Sequence, residues 1–273
     1  MTMGQIKLSC ETYTWVMPGD GSYLKRLDHI MDICNKSGME GIEPDNSFMS
    51  MHSDPVKMKE ALDQHDLKLS SLAYVEDWLH PEETQAERER ADKWISFLKH
   101  FPETILLSVQ MPQKNRDNLA ERQKNMIQCV NAFSRRASES GITCSHHPNS
   151  PSGSAFRIRS DYDILMTGLD HDACGYCPDV GHIAKGGMDP LDILKTYRSH
   201  INLVHYKDMY INGDWAATGE GDINFKEISR YLTSIDYTGW IVMEDECDEA
   251  ITNPDWLTIR DGVYILNEIR PLI

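Results

Sequence analysis

No stretch of this chain is apolar enough to cross a membrane. Its longest hydrophobic runs fall well short of the ~18 residues a bilayer requires, and the opening MTMGQIKLSC lacks the apolar centre of a secretory leader. Basic residues are scarce, with 27 Lys and Arg against 43 Asp and Glu for a net charge of −16. Neutralising a phosphate backbone or an anionic lipid surface needs clustered cations, so nucleic acid and membrane are both poor partners. Cysteine is too sparse and uneven for a disulfide framework, with seven residues scattered from Cys10 to Cys247. Cys174 and Cys177 form a C-x-x-C, but inside an apolar run that reads as a strand they point to opposite faces and cannot clamp one metal. The cysteines read as small core residues of a soluble, cytoplasmic protein. Low-complexity tracts, linkers and a G-x-G-x-x-G phosphate turn are also missing, and the first apolar run ends in TYTWVMPGDGS.

What is present is alternation. Strand-like runs fall at 7–15, 41–45, 68–75, 104–110, 142–148, 173–180, 201–208 and 240–246. Amphipathic helical patterns lie between them, near 24–38, 55–66, 84–102, 114–139, 159–171, 188–199 and 224–235, with a last one at 254–269. Asp189-Pro190 and Asn253-Pro254 each supply an N-cap followed by proline at the first helical position. Eight βα units in 273 residues predict one domain, residues 1–273, folded as a single (β/α)8 TIM barrel. An open doubly wound sheet usually has fewer strands and a glycine-rich first turn, so the barrel is preferred.

Barrel chemistry sits at the C-terminal ends of the strands. Those ends carry Glu43, Gln110, His147, Asp179, His205 with Lys207, and Glu244 with Glu246. In CSHHPNS, residues 144–150, two histidines are adjacent, and only one can face a given side. Ile142, Cys144 and His146 share the apolar, helix-facing side, which turns His147 towards the barrel mouth. The same period of two turns Asp179, His205, Lys207 and Glu244 inward. Two imidazoles and two carboxylates from four consecutive strands could then meet on one cation, and mixed nitrogen and oxygen donors suit a transition metal better than Ca²⁺. Manganese is the expected ion, with Zn²⁺, Co²⁺, Fe²⁺ and Mg²⁺ as alternatives. Glu43 and Gln110 are expected to contact substrate, while Trp15, Tyr13 and Trp78 are candidates to stack on a sugar ring. The segment GEGDINF should shape the pocket rim, with Asp222 as a helix N-cap.

PDVGHIAKGGMDP, VHYKDM, GEGDINF and GWIVMEDE together resemble the sugar phosphate isomerase/epimerase superfamily of xylose-isomerase-like barrels. The first half of the chain joins the resemblance only through GMEGIEPD and the barrel pattern. The resemblance implies metal ligation by Asp179, His205 and Glu244, and contact of His182 with a substrate hydroxyl. Epimerases of that family usually end the fifth strand in a metal-bound glutamate, whereas this chain has His147, a substitution similar to the inosose dehydratase branch. The implied chemistry is proton abstraction beside a carbonyl through an enediolate, with Glu244 as base and Lys207 or His182 as acid. A keto-sugar or keto-inositol lyase or dehydratase is therefore expected, with a ketose 3-epimerase or aldose-ketose isomerase as the alternative. A non-catalytic sugar-binding or partner subunit is a further alternative, and a homo-oligomer or hetero-complex is compatible with either. Abasic-DNA repair, known for a related barrel, does not suit the negative charge.

Overall fold

The computed structural model describes residues 5–273. Eleven strands appear among them: β1 Lys7–Glu11, β2 Gly41–Glu43, β3 Lys68–Leu69, β4 Ser71–Glu76, β5 Ile105–Gln110, β6 Cys144–His147, β7 Cys174–Tyr176, β8 Leu203–Tyr206, β9 Asp208–Met209, β10 Trp215–Ala216 and β11 Trp240–Met243. They divide between two compact units. One unit comprises the chain up to Ser70 together with Val204–Ile273, and holds a parallel sheet in the order β3-β2-β1-β11-β8. The other, Ser71–Leu203, holds the parallel sheet β4-β5-β6-β7. The β9–β10 hairpin is the one antiparallel pair among the described strands.

Each expected strand is found, most of them shorter than the pattern suggested. The run expected at 68–75 breaks at Ser70, with β3 pairing to β2 and β4 to β5. The first run loses its last four residues. The chain leaves β1 at Glu11 and turns through a 3-10 helix, Thr12–Trp15, instead of continuing as strand.

The helices follow their local signals. Thr84 and Glu87 close a reciprocal capping box at the start of Gln85–Leu98. Asp189 accepts from the Asp192 amide, with Pro190 opening Pro190–Thr196 as expected. Asn253 behaves differently: its side chain makes no cap hydrogen bond, and its Nδ2 donates to Glu249 Oε1 at 2.7 Å. Two short helices, Val180–Lys185 and Asp248–Thr252, were not evident from the pattern. No helix among the described residues is long and apolar enough to cross a membrane. All seven cysteines are free and buried, and Cys144 and Cys174 are register partners on adjacent strands.

One buried acidic pair bears on stability. Asp261, on the helix Pro254–Tyr264, is buried against Asp245. Burial first, and then the charge of Asp245, push its carboxyl up to about 10, and Arg260 at 3.5 Å does not offset this. A carboxyl whose folded value is raised contributes fully only below its ordinary value near ~4, and that contribution drains away as pH rises towards 10. Asp261→Asn removes the titration. We expect it to stabilise the protein by about 1–2 kcal/mol at pH 8, a rise of roughly 2–4 °C in Tm per kcal/mol. The gain should shrink towards zero at pH 4, and melting curves at the two pH values test it.

Candidate active site

In the Ser71–Leu203 unit, strand register sorts the faces. Tyr74, Ser108, His146 and Tyr176 are aligned across β4 to β7. Tyr74 packs on Trp78 and on Phe133 of the helix Leu119–Glu139, so this is the helix-facing side. His146 therefore points outward as expected, with its Nδ1 2.9 Å from Ser108 Oγ. Burial and the neighbouring His147 push its imidazole down to about 3, which leaves it neutral. His147 lies on the opposite face with Val75 and Val109, both partly exposed.

Asp179 follows β7 and does two things at once. Its Oδ1 accepts from the His182 amide at 2.8 Å as N-cap of Val180–Lys185, while Oδ2 lies 3.5 Å from His147 Nε2. The cap fixes the carboxylate, so the second oxygen is presented in a defined direction. His182, one turn on, has its Nδ1 2.8 Å from Ser150 Oγ and its Nε2 3.9 Å from Asp179 Oδ2. His147, Asp179 and His182 are thus brought together, all buried.

Two expected substrate contacts in the sequence lie elsewhere. Gln110 shares the helix-facing side with Tyr74 and Ser108, not the side of His147. Its side-chain Nε2 donates to Asn149 Oδ1 at 3.0 Å and its main-chain carbonyl accepts from Asn149 Nδ2 at 2.8 Å, so it fastens the loop after β6. Trp78 is wholly buried between Tyr74 and Phe133 and has no face for a sugar.

In the other unit, His205 of β8 lies between two carboxylates. Its Nδ1 is 3.3 Å from Glu244 Oε2 and its Nε2 is 3.1 Å from Glu43 Oε1. Glu244 stands just past β11, its amide donating to the Tyr206 carbonyl at 3.0 Å. Lys207 is 0% exposed, and its ammonium bridges Glu244 Oε1 and Glu246 Oε1, each at 2.5 Å. The Trp215 ring centroid lies 5.3 Å from the same nitrogen. Tyr13, partly exposed, is pushed up to about 12 by burial and then by the charge of Glu246.

Glu11 was not anticipated. It ends β1 in register with Glu43, and burial followed by the charges of Glu244 and Glu43 pushes its carboxyl well above the usual carboxylate range. Ligand atoms of Glu11, Glu43 and His205 all lie within 4.8 Å of one another in buried surroundings. So many buried carboxyl groups, balanced by one ammonium, repel one another unless they are protonated or share a cation. Oxygen donors around an imidazole suit a divalent transition metal, and this cluster could hold one.

Trp15 is likewise not where the longer strand would have put it. It closes the 3-10 turn, is 2% exposed, and donates its indole N–H to Asp255 Oδ1 at 2.7 Å. It is packed beneath the last long helix and offers no stacking face.

The segment after β9 is pinned by Asp208. Its carboxylate accepts from the amides of Met209 at 2.8 Å, Gly219 and Gly221 at 2.9 Å, and Ile223 at 3.3 Å. A Cβ at Gly221 would fall 2.2 Å from Asp208 Oδ1, which explains the glycine there. Asn224, not Asp222, caps the helix Phe225–Ser234, while Asp222 accepts from the Ile211 amide at 2.7 Å.

Comparison with known proteins adds a frame. The sequence model of one family, described as xylose isomerase-like TIM barrel, matches residues 31–268. An inosose dehydratase of Lacticaseibacillus casei is 24% identical over 269 residues, covering 88% of each chain. Among solved structures, the IolI protein with a bound zinc atom aligns with a TM-score of 0.74 at 16% identity, over 97% of this chain and 98% of that one. The probable 3-DHS dehydratase AsbF of Bacillus anthracis aligns at 0.72 and 18%, over 96% and 100%. At such identities these two structures speak for the fold.

Proposed function

This chain belongs to the xylose isomerase-like TIM barrel family, and from that membership we propose that it is a divalent-metal-dependent lyase acting on a keto-sugar or keto-inositol. The fold is the (β/α)8 barrel, and its relatives and neighbours are named as dehydratases, isomerases and epimerases. The enzyme is accordingly of lyase or isomerase type with a carbohydrate substrate. In this fold the C-terminal strand ends form the catalytic face. His147, Asp179, His205 and Glu244 are the proposed ligands of one divalent ion, with manganese as the favoured metal.

Such an ion supplies Lewis-acid charge to the substrate carbonyl oxygen, which acidifies the neighbouring C–H. Glu244 takes the proton from that carbon. Lys207, bridging Glu244 and Glu246 at 2.5 Å each, gives a proton to the β-hydroxyl as its C–O bond breaks, so water leaves. His182, its Nδ1 beside Ser150 at 2.8 Å, presents Nε2 to a substrate hydroxyl.

The observation that carries the lyase reading is His147. It stands 3.5 Å from Asp179 at a strand end where epimerisation by two opposed carboxylates would need an acid. The name of the dehydratase relatives points the same way. The test is a mass-spectrometric product screen over inososes, 3-keto-glycosides and free ketoses, with Mn²⁺ supplied. At least one substrate should lose one water, and the loss should stop on chelation. Binding of a ketose with no turnover of any compound would favour a sugar-binding subunit instead.

A further inference from the structure

Glu43 was expected to touch substrate, but its surroundings assign it other work. It is wholly buried, and His205 Nε2 lies 3.1 Å from its Oε1 and 3.3 Å from its Oε2. The other ring nitrogen, Nδ1, faces Glu244 Oε2 at 3.3 Å. A neutral imidazole has one N–H and one lone pair, and only the lone pair can bind a metal. If Glu244 is a ligand, as the functional reading above has it, the nitrogen that looks towards Glu244 is the one that must carry the lone pair. The N–H then belongs on Nε2, where a carboxylate waits at hydrogen-bonding distance.

We propose that Glu43 is a positioning residue: it accepts the Nε2–H of His205 and so holds the ring in the tautomer and orientation that present Nδ1 to the ion. The inference rests on the functional reading for the identity of the ligands, and on the geometry of β1, β2, β8 and Glu244 for the role of Glu43. Its place in the fold suits that role. Glu43 closes β2 in register with Glu11, so its carboxylate is backed by a strand and not by a loop. Carboxylates behind metal-bound histidines usually change metal affinity by 10–100-fold when lost.

The experiment is a Mn²⁺ titration of metal-stripped wild type, Glu43→Gln and Glu43→Asp, with free Mn²⁺ read by electron paramagnetic resonance. Glu43→Gln keeps the shape but accepts more weakly and can turn its amide N–H towards Nε2, which favours the wrong tautomer. It should bind Mn²⁺ about 10–100-fold more weakly, and Glu43→Asp should fall between it and wild type. At saturating Mn²⁺ the KM of Glu43→Gln should stay near wild type. ¹⁵N spectra of the Zn²⁺-loaded wild type should show His205 protonated on Nε2 and metallated on Nδ1, a readout that needs no variant to fold.

Unchanged Mn²⁺ affinity in Glu43→Gln together with a raised KM would overturn the proposal and restore Glu43 as a substrate contact. A metal on Nε2 would overturn it too, as would a second ion lost in Glu11→Gln, since either makes Glu43 a ligand. In those cases the wild type still binds metal and the functional reading survives. A wild type that binds neither Mn²⁺ nor Zn²⁺ brings down both.

Discussion

Lys207→Met should cost the metal-free protein about 3–5 kcal/mol of folding stability and lower kcat by roughly 10²–10⁴. Few lysines are fully buried, and this one is tolerated because two carboxylates lie 2.5 Å from its nitrogen and an indole ring faces it. Methionine fills a similar volume, so the loss comes from charge and not from a cavity. Glu244 and Glu246 would then stand close together beside Glu11 and Glu43 with their one ammonium gone. Urea denaturation read as a shift in midpoint measures the first effect. The double variant Lys207→Met, Glu246→Gln should recover part of the stability, because one of the stranded carboxylates is removed, but none of the turnover. A stability loss below about 1 kcal/mol would mean that the bridge is no better than an exposed ion pair. Full activity in Lys207→Met would remove lysine from the proton path.

What the sequence could and could not reveal follows from which forces act locally. Period-two alternation in β6 was enough to separate His146 from His147, because one face packs on helices and the other does not. The same alternation applies to His205 within β8, but not to Asp179 and Glu244, which stand past the ends of β7 and β11. It gave no warning that Asp179 would also cap a helix, since the short Val180–Lys185 helix has too few turns to show a pattern. Glu11 was hidden by its neighbours. Thr12, Tyr13, Thr14 and Trp15 all favour strands by propensity, so the run seemed to continue and its end was placed four residues too late. The chain turns at Thr12 for tertiary reasons. Thr12 Oγ1 accepts from the Asp45 amide at 2.8 Å, Thr14 Oγ1 from the Asp245 amide at 3.2 Å, and the Trp15 indole donates to Asp255. Gln110 was misjudged in a similar way. It ends β5, but its register with Glu76 puts it on the helix-facing side, where Asn149 bonds its side-chain nitrogen and its main-chain carbonyl.

His147→Glu should keep the metal and move the reaction from elimination towards epimerisation. Reprotonating a carbon on the face opposite the departing proton needs a second acid across the substrate. With His147 as the proposed imidazole ligand and Glu244 as the proposed base, that acid is missing. Proton return from the opposite face is then slow, and expulsion of the β-hydroxyl competes well. Glutamate at this position supplies both a ligand oxygen and a carboxyl that can carry a proton. It also brings a second negative charge beside the Asp179 carboxylate, where His147 Nε2 now lies 3.5 Å from Oδ2, so the metal-free variant should be less stable than wild type. Bound metal should offset much of that loss, and the difference between melting points with and without Mn²⁺ should therefore widen. In D₂O the wild type should yield a product lacking one water. The variant should return a share of substrate at unchanged composition, apart from deuterium at the inverted carbon. Clean stereoinversion by the wild type with every keto-sugar and keto-inositol tested would refute the lyase assignment. A variant that binds metal, stays folded and eliminates water as fast as wild type would show that the ligand at position 147 does not set the outcome.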